Sequence, residues 1–361
     1  MSSFTADLLR WFRRHRADLP WRRDSDPYRV WLSEIMLQQT QVAAVIPYYE
    51  RFLRHYPTVQ ALAAAPLDEV LKRWEGLGYY SRARNLHRAA QVIAGERGGE
   101  WPRTAEELRA LPGVGPYTAG AIASIAFGQD TPVLDGNVIR VLTRLHDIAD
   151  DVTQEITKKR LWALAESLVP AGEAGDFNQG LMELGRVICR PRRPLCASCP
   201  VETHCLARQR GVQAQRPVKA RPAPTPHYDV AAGVIYGQSE QAGRLLIAQR
   251  PLEGLLGGLW EFPGGKQEPG ETLPQTLARE LREELAIEVE VGDFLVRVKH
   301  AFTHFRITLH AYECRHVAGE PQALGVASFA WVTPDELNRY AFGKADQGVI
   351  AALRERLHRL L

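Results

Sequence analysis

The apolar residues of this chain follow a helical period in the first half. Through residue 206 they recur at the spacing of one helix face, and Gly and Pro separate the segments. The segments are 28–40, 58–74, 81–94, 116–127 and 157–169. The pattern therefore predicts an all-α first half.

The second half combines strand and helix patterns. YDVAAGVIY, RLLIAQR, VEVGDFLVRV and FRITLHAYEC are typical of strands, whereas TLPQTLARELREEL and residues 345–361 are typical of helices. Residues 207–227 are basic and rich in proline, which favours a semi-extended linker. We therefore predict a multidomain chain with a helical domain over 1–206, a linker over 207–227 and an α+β domain over 228–361.

Composition and charge narrow the class of protein. The 361 residues suit two or three domains, and a content of 45% hydrophobic and 24% charged residues is ordinary for globular proteins. The N-terminus does not resemble a signal peptide and no run of 18 apolar residues occurs, so we expect a cytoplasmic protein. The net charge is +3, but basic residues cluster in 10–16, 186–193 and 207–227. Such patches indicate a polyanion-binding face, with a solvated surface as the alternative.

Residues 104–127 predict a helix–hairpin–helix. Thr104 and Glu107 have the spacing of a capping box, and LPGVG then favours a tight turn before a helix that begins with proline. Gly113 and Gly115 would let the backbone approach a ligand, and the N–H groups at a helix start bind anions. We expect the hairpin to bind DNA phosphates without regard to sequence; a plain helical hairpin is the alternative.

Four cysteines form one tight group, which consists of Cys189, Cys196, Cys199 and Cys205. In a cytosolic protein such a group favours metal over disulfides. One short loop with all four thiols favours a [4Fe–4S] cluster, with zinc or no metal as alternatives. Its expected role is structural, holding the arginines of this loop against phosphates. Cys314 lies far away in a predicted strand and is expected in a core.

Two carboxylates allow a catalytic or a structural interpretation. Glu34 has apolar helical neighbours, so burial would raise its pKa and keep a proton available near neutrality; an exposed helix carboxylate is the alternative. Asp135 precedes a helix and could be its N-cap. An N-cap is compatible with catalysis, because backbone donors would keep the carboxylate ionised.

The motifs in this order resemble a known superfamily. LPGVG, LDGNV and the cysteine loop make residues 1–206 similar to the endonuclease III superfamily of base-excision glycosylases. SEIMLQQTQV, GLGYYSRARNL and the C-terminal extension resemble the MutY-type adenine DNA glycosylases. The resemblance implies an enzyme that removes adenine mispaired with 8-oxoguanine or G in double-stranded DNA. A monomer suits a protein that wraps DNA with two domains.

The resemblance also implies roles for single residues. Glu34 matches the residue that protonates adenine and then handles the water, and Asp135 matches the carboxylate that faces the deoxyribose. Tyr117 lies where bifunctional relatives have a nucleophilic lysine, so we expect base removal without strand cleavage. Two residues, Gln39 and Tyr79, match the positions that wedge into the base stack. Three others, Trp21, Arg22 and Gln179, match the positions that line the adenine pocket.

Residues 265–287 match the Nudix pattern at every position except Ala286, where glycine is expected. In working Nudix hydrolases the equivalents of Glu280, Glu283 and Glu284 bind a divalent metal, so Mg²⁺ is a possible ligand here, and simple solvent exposure of the three glutamates is the favoured alternative. A Nudix domain that hydrolyses oxidised nucleoside triphosphates is therefore an alternative function, and a silent lesion-binding protein is another.

A tripeptide in the same half favours recognition over hydrolysis. In MutY-type proteins the domain generally lacks the intact motif and recognises 8-oxoguanine. Phe302, Thr303 and His304 match the family's Phe-Ser-His loop that contacts the oxidised guanine. A turn at a strand end is the alternative interpretation.

Overall fold

The computed structural model describes residues 3–220 and 224–360, which form two compact units. The first unit consists of residues 3–64 and 85–220, and the second of residues 65–84 and 224–360. Within these described ranges, no helix is both long and apolar enough to cross a membrane.

The part of the chain up to residue 220 is helical, as predicted. Its α-helices are α1 (Phe4–His15), α2 (Pro27–Leu37), α3 (Val42–His55), α4 (Val59–Ala64), α5 (Leu67–Trp74), α6 (Ser81–Gln91), α7 (Ala105–Leu108), α8 (Pro116–Phe127), α9 (Gly136–Leu145), α10 (Glu155–Leu168), α11 (Ala174–Val187) and α12 (Leu206–Gln209). A π-helical turn, Val92–Glu96, follows α6. The predicted helix over 58–74 is two helices, because Pro66 interrupts it.

The core of the first unit brings α1, α8, α9 and α11 together around Leu8, Val138 and Phe177, all fully buried. Two glycines allow unusually close packing near the start of α9. A Cβ on Gly120 would lie 2.2 Å from the carbonyl oxygen of Pro132, and one on Gly185 would lie 2.6 Å from Cβ of Asn137. These contacts place α8 directly against the segment that precedes α9, and α11 directly against the first turn of α9.

The second unit contains a mixed sheet between two helices. Its strands are β1 (His227–Tyr236), β2 (Leu245–Gln249), β3 (Trp260–Glu261), β4 (Gly264–Lys266), β5 (Glu288–Ala301), β6 (Arg306–Ala318) and β7 (Ser328–Val332), and the two helices that pack on them are α13 (Leu273–Leu285) and α14 (Lys344–Leu360). The order is β3-β2-β1-β6-β5, with β1 and β6 parallel; β4 pairs with β1, and β7 pairs with β2. The predicted α+β architecture is therefore confirmed.

The helices cover opposite faces of this sheet. Leu277 and Leu281 of α13 pack with Ile235 on one face, and Val349 of α14 packs with Leu309 on the other. A four-residue loop, 302–305, joins β5 to β6. The loop therefore lies at one end of a long hairpin.

The segment predicted as a linker, 207–227, differs from that prediction. Its first part packs on the first unit, because the buried guanidinium of Arg144 donates to the carbonyl oxygens of Gln213 (2.9 Å) and Arg216 (3.1 Å). Residues 221–223 lie outside the described part of the chain, and β1 begins at His227. The composition of this segment predicted that its backbone would be hydrogen-bonded to solvent, but the Arg144 side chain of α9 supplies donors instead.

Residues 65–84 also depart from the predicted boundaries, because they belong to the second unit. Lys72 Nζ donates to the carbonyl oxygen of Tyr340 (2.8 Å), and Glu75 accepts a bond from the backbone N–H of Phe342 (2.9 Å). Lys72 and Glu75 also pair with each other at 2.8 Å. The ion pair thus binds the backbone that precedes α14.

Candidate active site

The first unit contains a cavity of about 440 Å³ between α2, α8, α11 and the start of α9. Small-ligand sites usually have roughly 300–1,000 Å³. The predicted site residues that line it are Trp21, Arg22, Glu34, Tyr117, Asp135 and Gln179. Residues separated by up to 158 positions in the sequence therefore share one pocket.

Glu34 lies on α2 and is only 6% exposed. Tyr117 donates its hydroxyl hydrogen to Oε2 of Glu34 over 2.6 Å. Burial raises the pKa of Glu34 to about 7; the bond from Tyr117 and the charge of Arg22 oppose this rise, whereas Asp135 adds to it. Glu34 can therefore exchange a proton near neutral pH, in the dry surroundings that its neighbours predicted.

Asp135 is the N-cap of α9. Its carboxylate accepts bonds from the backbone N–H of Val138 (2.7 Å) and from Nδ2 of Asn137 (2.8 Å). Burial raises the pKa of Asp135 above its usual value, and these bonds oppose that rise. The predicted cap is present, but burial outweighs it in setting the direction of the shift, which differs from the expectation based on capping alone.

Tyr117, on α8, contacts both α2 and α11 across the cavity. Its hydroxyl also lies 3.2 Å from the sulfur of Met182 on α11. Burial, followed by the charges of Glu34 and Asp135, raises its pKa well above the usual value. The phenol therefore stays protonated at neutral pH and acts as a hydrogen-bond donor.

The sequence interpretation missed an ion pair in the cavity wall. Arg22 donates to Oε2 of Glu183 over 3.1 Å, and Arg186 pairs with the other oxygen. Burial alone would raise the pKa of Glu183, but the bonds and charges of Arg186 and Arg22 bring it below its usual value. Glu183 is thus an ionised acceptor facing the cavity. The spacing E-x-x-R before the cysteine loop is the signal that could have found it.

The hairpin between α7 and α8 has the predicted capping box, formed by Thr104 and Glu107. Gly113 has a left-handed φ of +75°, and a Cβ there would lie 2.6 Å from Cβ of Asn85. Gly115 is exposed and open to solvent, directly before α8. The N-terminal end of α8 is thus accessible to an anion.

Two predicted wedge residues have left-handed backbone angles and exposed side chains. Gln39 follows α2 with φ +57°, and Tyr79 precedes α6 with φ +49° and is 44% exposed. Arg82 supports the second turn: its guanidinium lies over the rings of Trp74 (5.3 Å) and Tyr79 (5.4 Å). It also donates to the carbonyl oxygen of Gly78 (3.1 Å). The Arg82 side chain therefore holds the Tyr79 ring in place.

The loop over 302–305 lies in the same unit as Tyr79. The hydroxyls of Tyr79 and Thr303 are 3.2 Å apart. The backbone N–H of Phe302 bonds to the carbonyl oxygen of Phe305 (2.8 Å), which closes the loop, and Thr303 and His304 are exposed. Two motifs 224 residues apart thus form one exposed surface.

The four loop cysteines are all half-buried. Nη1 of Arg144 lies 3.3 Å from the sulfur of Cys189. Burial raises the pKa of Cys199 to about 12; a bond from the backbone of Val201 opposes this rise, and the charges of the other three thiols add to it. Thiolates in this loop would therefore repel one another unless positive charge lay between them. Among residues 3–220 and 224–360, no group of three or more His, Cys, Asp or Glu side chains is arranged to hold a metal ion.

The Nudix motif is folded around Arg279. This arginine pairs with Glu271 (2.6 Å), Glu280 (3.1 Å) and Glu283 (3.1 Å). Burial, followed by the charge of Glu261, raises the pKa of Glu284 to about 7. Within the described residues, the motif's glutamates are thus held by an arginine or shifted toward the protonated form.

The deviating Nudix position has a left-handed backbone. Ala286 follows α13 with φ +56° and ψ +30°, a conformation that glycine adopts without steric cost. The methyl group of Ala286, which the expected glycine lacks, therefore strains the C-terminal cap of α13.

Family models match both halves of the chain. Residues 32–167 match the HhH-GPD superfamily of base excision DNA repair proteins, and residues 233–352 match the NUDIX domain. Homo sapiens adenine DNA glycosylase is 40% identical over 96% of this chain and 73% of its own length. The chain belongs to the adenine DNA glycosylase family. It is therefore a DNA N-glycosylase.

Other members and relatives agree with this assignment. Adenine DNA glycosylase of Schizosaccharomyces pombe is 32% identical over 92% of this chain and 86% of its own length. A thermostable thymine-DNA glycosylase structure is 34% identical with a TM-score of 0.53, covering 57% of this chain and 95% of that chain. A trapped endonuclease III–DNA covalent intermediate is 25% identical with a TM-score of 0.50, covering 58% and 99%. The helical half thus has the fold of the adenine DNA glycosylase family and its superfamily.

Proposed function

We propose that this chain, as a monomer on double-stranded DNA, removes adenine mispaired with 8-oxoguanine or with G. The observation that carries the proposal is the bond of 2.6 Å from Tyr117 to Glu34, inside a cavity that Asp135 also lines. It supplies a proton donor with a pKa near 7 and a second carboxylate in one enclosed site.

The chemistry requires both carboxylates. Adenine is a poor leaving group as an anion, so a proton from Glu34 to N7 weakens the glycosidic bond. The sugar then develops positive charge, which Asp135 stabilises. General acid catalysis contributes roughly 10²–10⁴-fold, and the electrostatic effect supplies much of the rest. After the base leaves, Glu34 as a carboxylate accepts the proton of the attacking water.

Tyr117 explains a reaction that ends at base removal. A bifunctional glycosylase needs an amine that forms a Schiff base with the sugar. Tyr117 carries a phenol whose pKa is raised well above its usual value. We therefore propose a monofunctional enzyme that leaves the strand intact.

The second unit supplies lesion recognition in this proposal. Tyr79 wedges into the stack, and Thr303, bonded to it, offers its hydroxyl to the oxidised guanine. Flipping adenine out of the duplex costs a few kcal/mol. Contacts at the opposite base offset part of that cost and favour adenine opposite 8-oxoguanine over adenine opposite T.

The four thiols of the cysteine loop are the donor set that a [4Fe–4S] cluster takes, so we propose that the loop binds one. The four thiols are half-buried, and burial together with the charges of the other three thiols raises the pKa of Cys199, so a positively charged inorganic core would stabilise it as a thiolate. Cys189, Cys196, Cys199 and Cys205 would hold it. A cluster there would cross-link the loop, and Arg144 would donate to the sulfur of Cys189, from which it lies 3.3 Å away.

An excision assay tests the proposal. Duplexes carrying adenine opposite 8-oxoguanine, G or T are incubated with protein, and strand breaks are scored with and without alkali. We expect alkali-dependent breaks for the first two duplexes. Equal activity opposite T would refute lesion selectivity, and breaks without alkali would refute the monofunctional reaction. Absorbance near 400 nm tests the cluster.

A further inference from the structure

Three basic residues lie on the β5–β6 hairpin behind the loop over 302–305. They are Arg297, Lys299 and Arg306, and all three are exposed. In the antiparallel register, Arg297 opposes His310, Lys299 opposes Thr308, and Ala301 opposes Arg306. Opposed residues of a sheet point to the same face, and so do residues two apart on one strand. The three cations therefore share one face of the hairpin.

This face is distinct from the one that α14 covers. Val298 and Leu309, which alternate with the basic positions, belong to the core beneath α14, and Gly348 of α14 packs against Val298. The helix on the basic face, α13, packs against Ile235 and Cys314, toward the other end of the strands. The cations thus occupy the end of this face that adjoins the loop.

The charge of this face is not neutralised from within. None of Arg297, Lys299 and Arg306 forms an ion pair with a carboxylate of the described residues. Asp229, on the neighbouring strand of the same face, accepts a bond of 2.9 Å from His310. Three exposed positive charges therefore stand in a row that begins next to His304.

The spacing of the row suits an extended polyanion. Residues two apart on a strand are separated by roughly 7 Å, and diagonal neighbours across a strand pair by roughly 7–8 Å. A flat row of separated cations matches successive phosphates of a nucleic acid strand. A triphosphate is compact and requires converging charges, usually with a metal ion.

We propose that Arg297, Lys299 and Arg306 bind the phosphate backbone of duplex DNA beside the base read by the loop over 302–305. The proposal rests on the proposed function, because the loop at the end of the same hairpin is assigned there to the oxidised guanine. The row extends that contact along the duplex by the length of four to five strand residues, about 15 Å.

Salt dependence of binding tests this surface. Each neutralised phosphate contributes a slope of about −0.9 to log Kobs against log[salt]. Fluorescence anisotropy would measure binding of a 30-mer with adenine opposite 8-oxoguanine, in a Glu34→Gln background that keeps the duplex intact. The triple variant Arg297→Gln/Lys299→Gln/Arg306→Gln should have a slope less steep by about 2.7. Between 50 and 200 mM salt, the affinity of the triple variant should therefore fall about 40-fold less than that of the parent protein.

A matched control and a second ligand sharpen the result. Arg354→Gln removes an exposed cation from α14, on the opposite side of the sheet, and should leave the slope unchanged. An unchanged slope in the triple variant, with an unchanged melting temperature, would overturn the proposal. The proposal would also be overturned if the triple variant lost binding of 8-oxo-dGTP but kept the slope of log Kobs against log[salt] for duplex DNA. Excision by the otherwise unchanged protein is measured in parallel, and its absence would refute the proposed function instead.

Discussion

Replacing Glu34 with glutamine should stabilise the first unit by an amount that grows between about pH 4.5 and pH 7 and is complete above pH 7. A carboxylate in this cavity loses its hydration, which raises its pKa to about 7 from an ordinary value of 4.5. Glutamine has nearly the same shape, carries no charge and can still accept the hydrogen bond of Tyr117. The substitution therefore removes the cost of burying the charge and little else.

The magnitude and sign follow from proton linkage. In the unfolded chain Glu34 ionises near pH 4.5, and in the folded protein near pH 7. Folding of the unsubstituted protein is thus unpenalised below pH 4.5, becomes less favourable as pH rises, and reaches its full penalty above pH 7. A difference of about 2.5 pH units at 1.36 kcal/mol each corresponds to roughly 3 kcal/mol.

Thermal unfolding at several pH values measures this difference. For a unit of this size, roughly 3 kcal/mol corresponds to a rise of about 6–12 °C in the melting temperature. We expect Glu34→Gln to exceed the unsubstituted protein by that amount at pH 8 and to match it at pH 4.5. Equal melting temperatures at pH 8, or a difference that does not change with pH, would refute the idea that Glu34 is held in a dry site.

Three further substitutions test the packing and the wedge. Gly120→Ala should destabilise the first unit by about 1–3 kcal/mol in chemical unfolding, because the added Cβ would meet the carbonyl of Pro132. Gly95→Ala, where the added Cβ would meet open space, should not destabilise it, and equal effects of the two substitutions would contradict this reasoning. Ala286→Gly should raise the melting temperature of the second unit by relieving about 1 kcal/mol of left-handed strain, and a decrease would count against that strain. Arg82→Ala should lower excision opposite 8-oxoguanine about tenfold by freeing Tyr79, and an equal loss in a Tyr79→Ser background would show that Arg82 acts otherwise.

Local chemistry made much of the fold predictable. The capping box at Thr104, the turn at Gly113 and the strand pattern around Ile235 each depend on residues a few positions apart. The burial of Glu34 was predictable in the same way, because its helical neighbours Ile35 and Met36 are apolar and buried. Such features are read from short windows, where one residue limits the conformation of the next.

Long-range contacts could not be read in this way. The attachment of residues 65–84 to the second unit depends on Lys72 and Glu75 reaching the backbone near Phe342, some 270 positions away. Arg144 holds the segment predicted as a linker by the same means. In both cases a charged side chain binds a backbone carbonyl or N–H, and backbone groups leave no mark on a sequence.

The candidate site contains both residues whose roles could be predicted from the sequence and a residue whose role depends on a long-range contact. Glu34, Tyr117 and Asp135 acquired their predicted roles through the resemblance, since the windows around Glu34 and Asp135 alone favoured a structural interpretation. Glu183 was missed because its importance arises from Arg22, which lies 161 residues earlier. Its i,i+3 spacing with Arg186 is common on exposed helices and does not by itself indicate a pocket.

The central claim is that Glu34 donates the proton that releases adenine. Single-turnover excision of adenine opposite 8-oxoguanine, with saturating protein, tests it most directly. We expect Glu34→Gln to bind the duplex as tightly as the unsubstituted protein and to excise at least 100-fold more slowly, the lower end of the contribution of a general acid. Excision by Glu34→Gln at the rate of the unsubstituted protein would contradict the account.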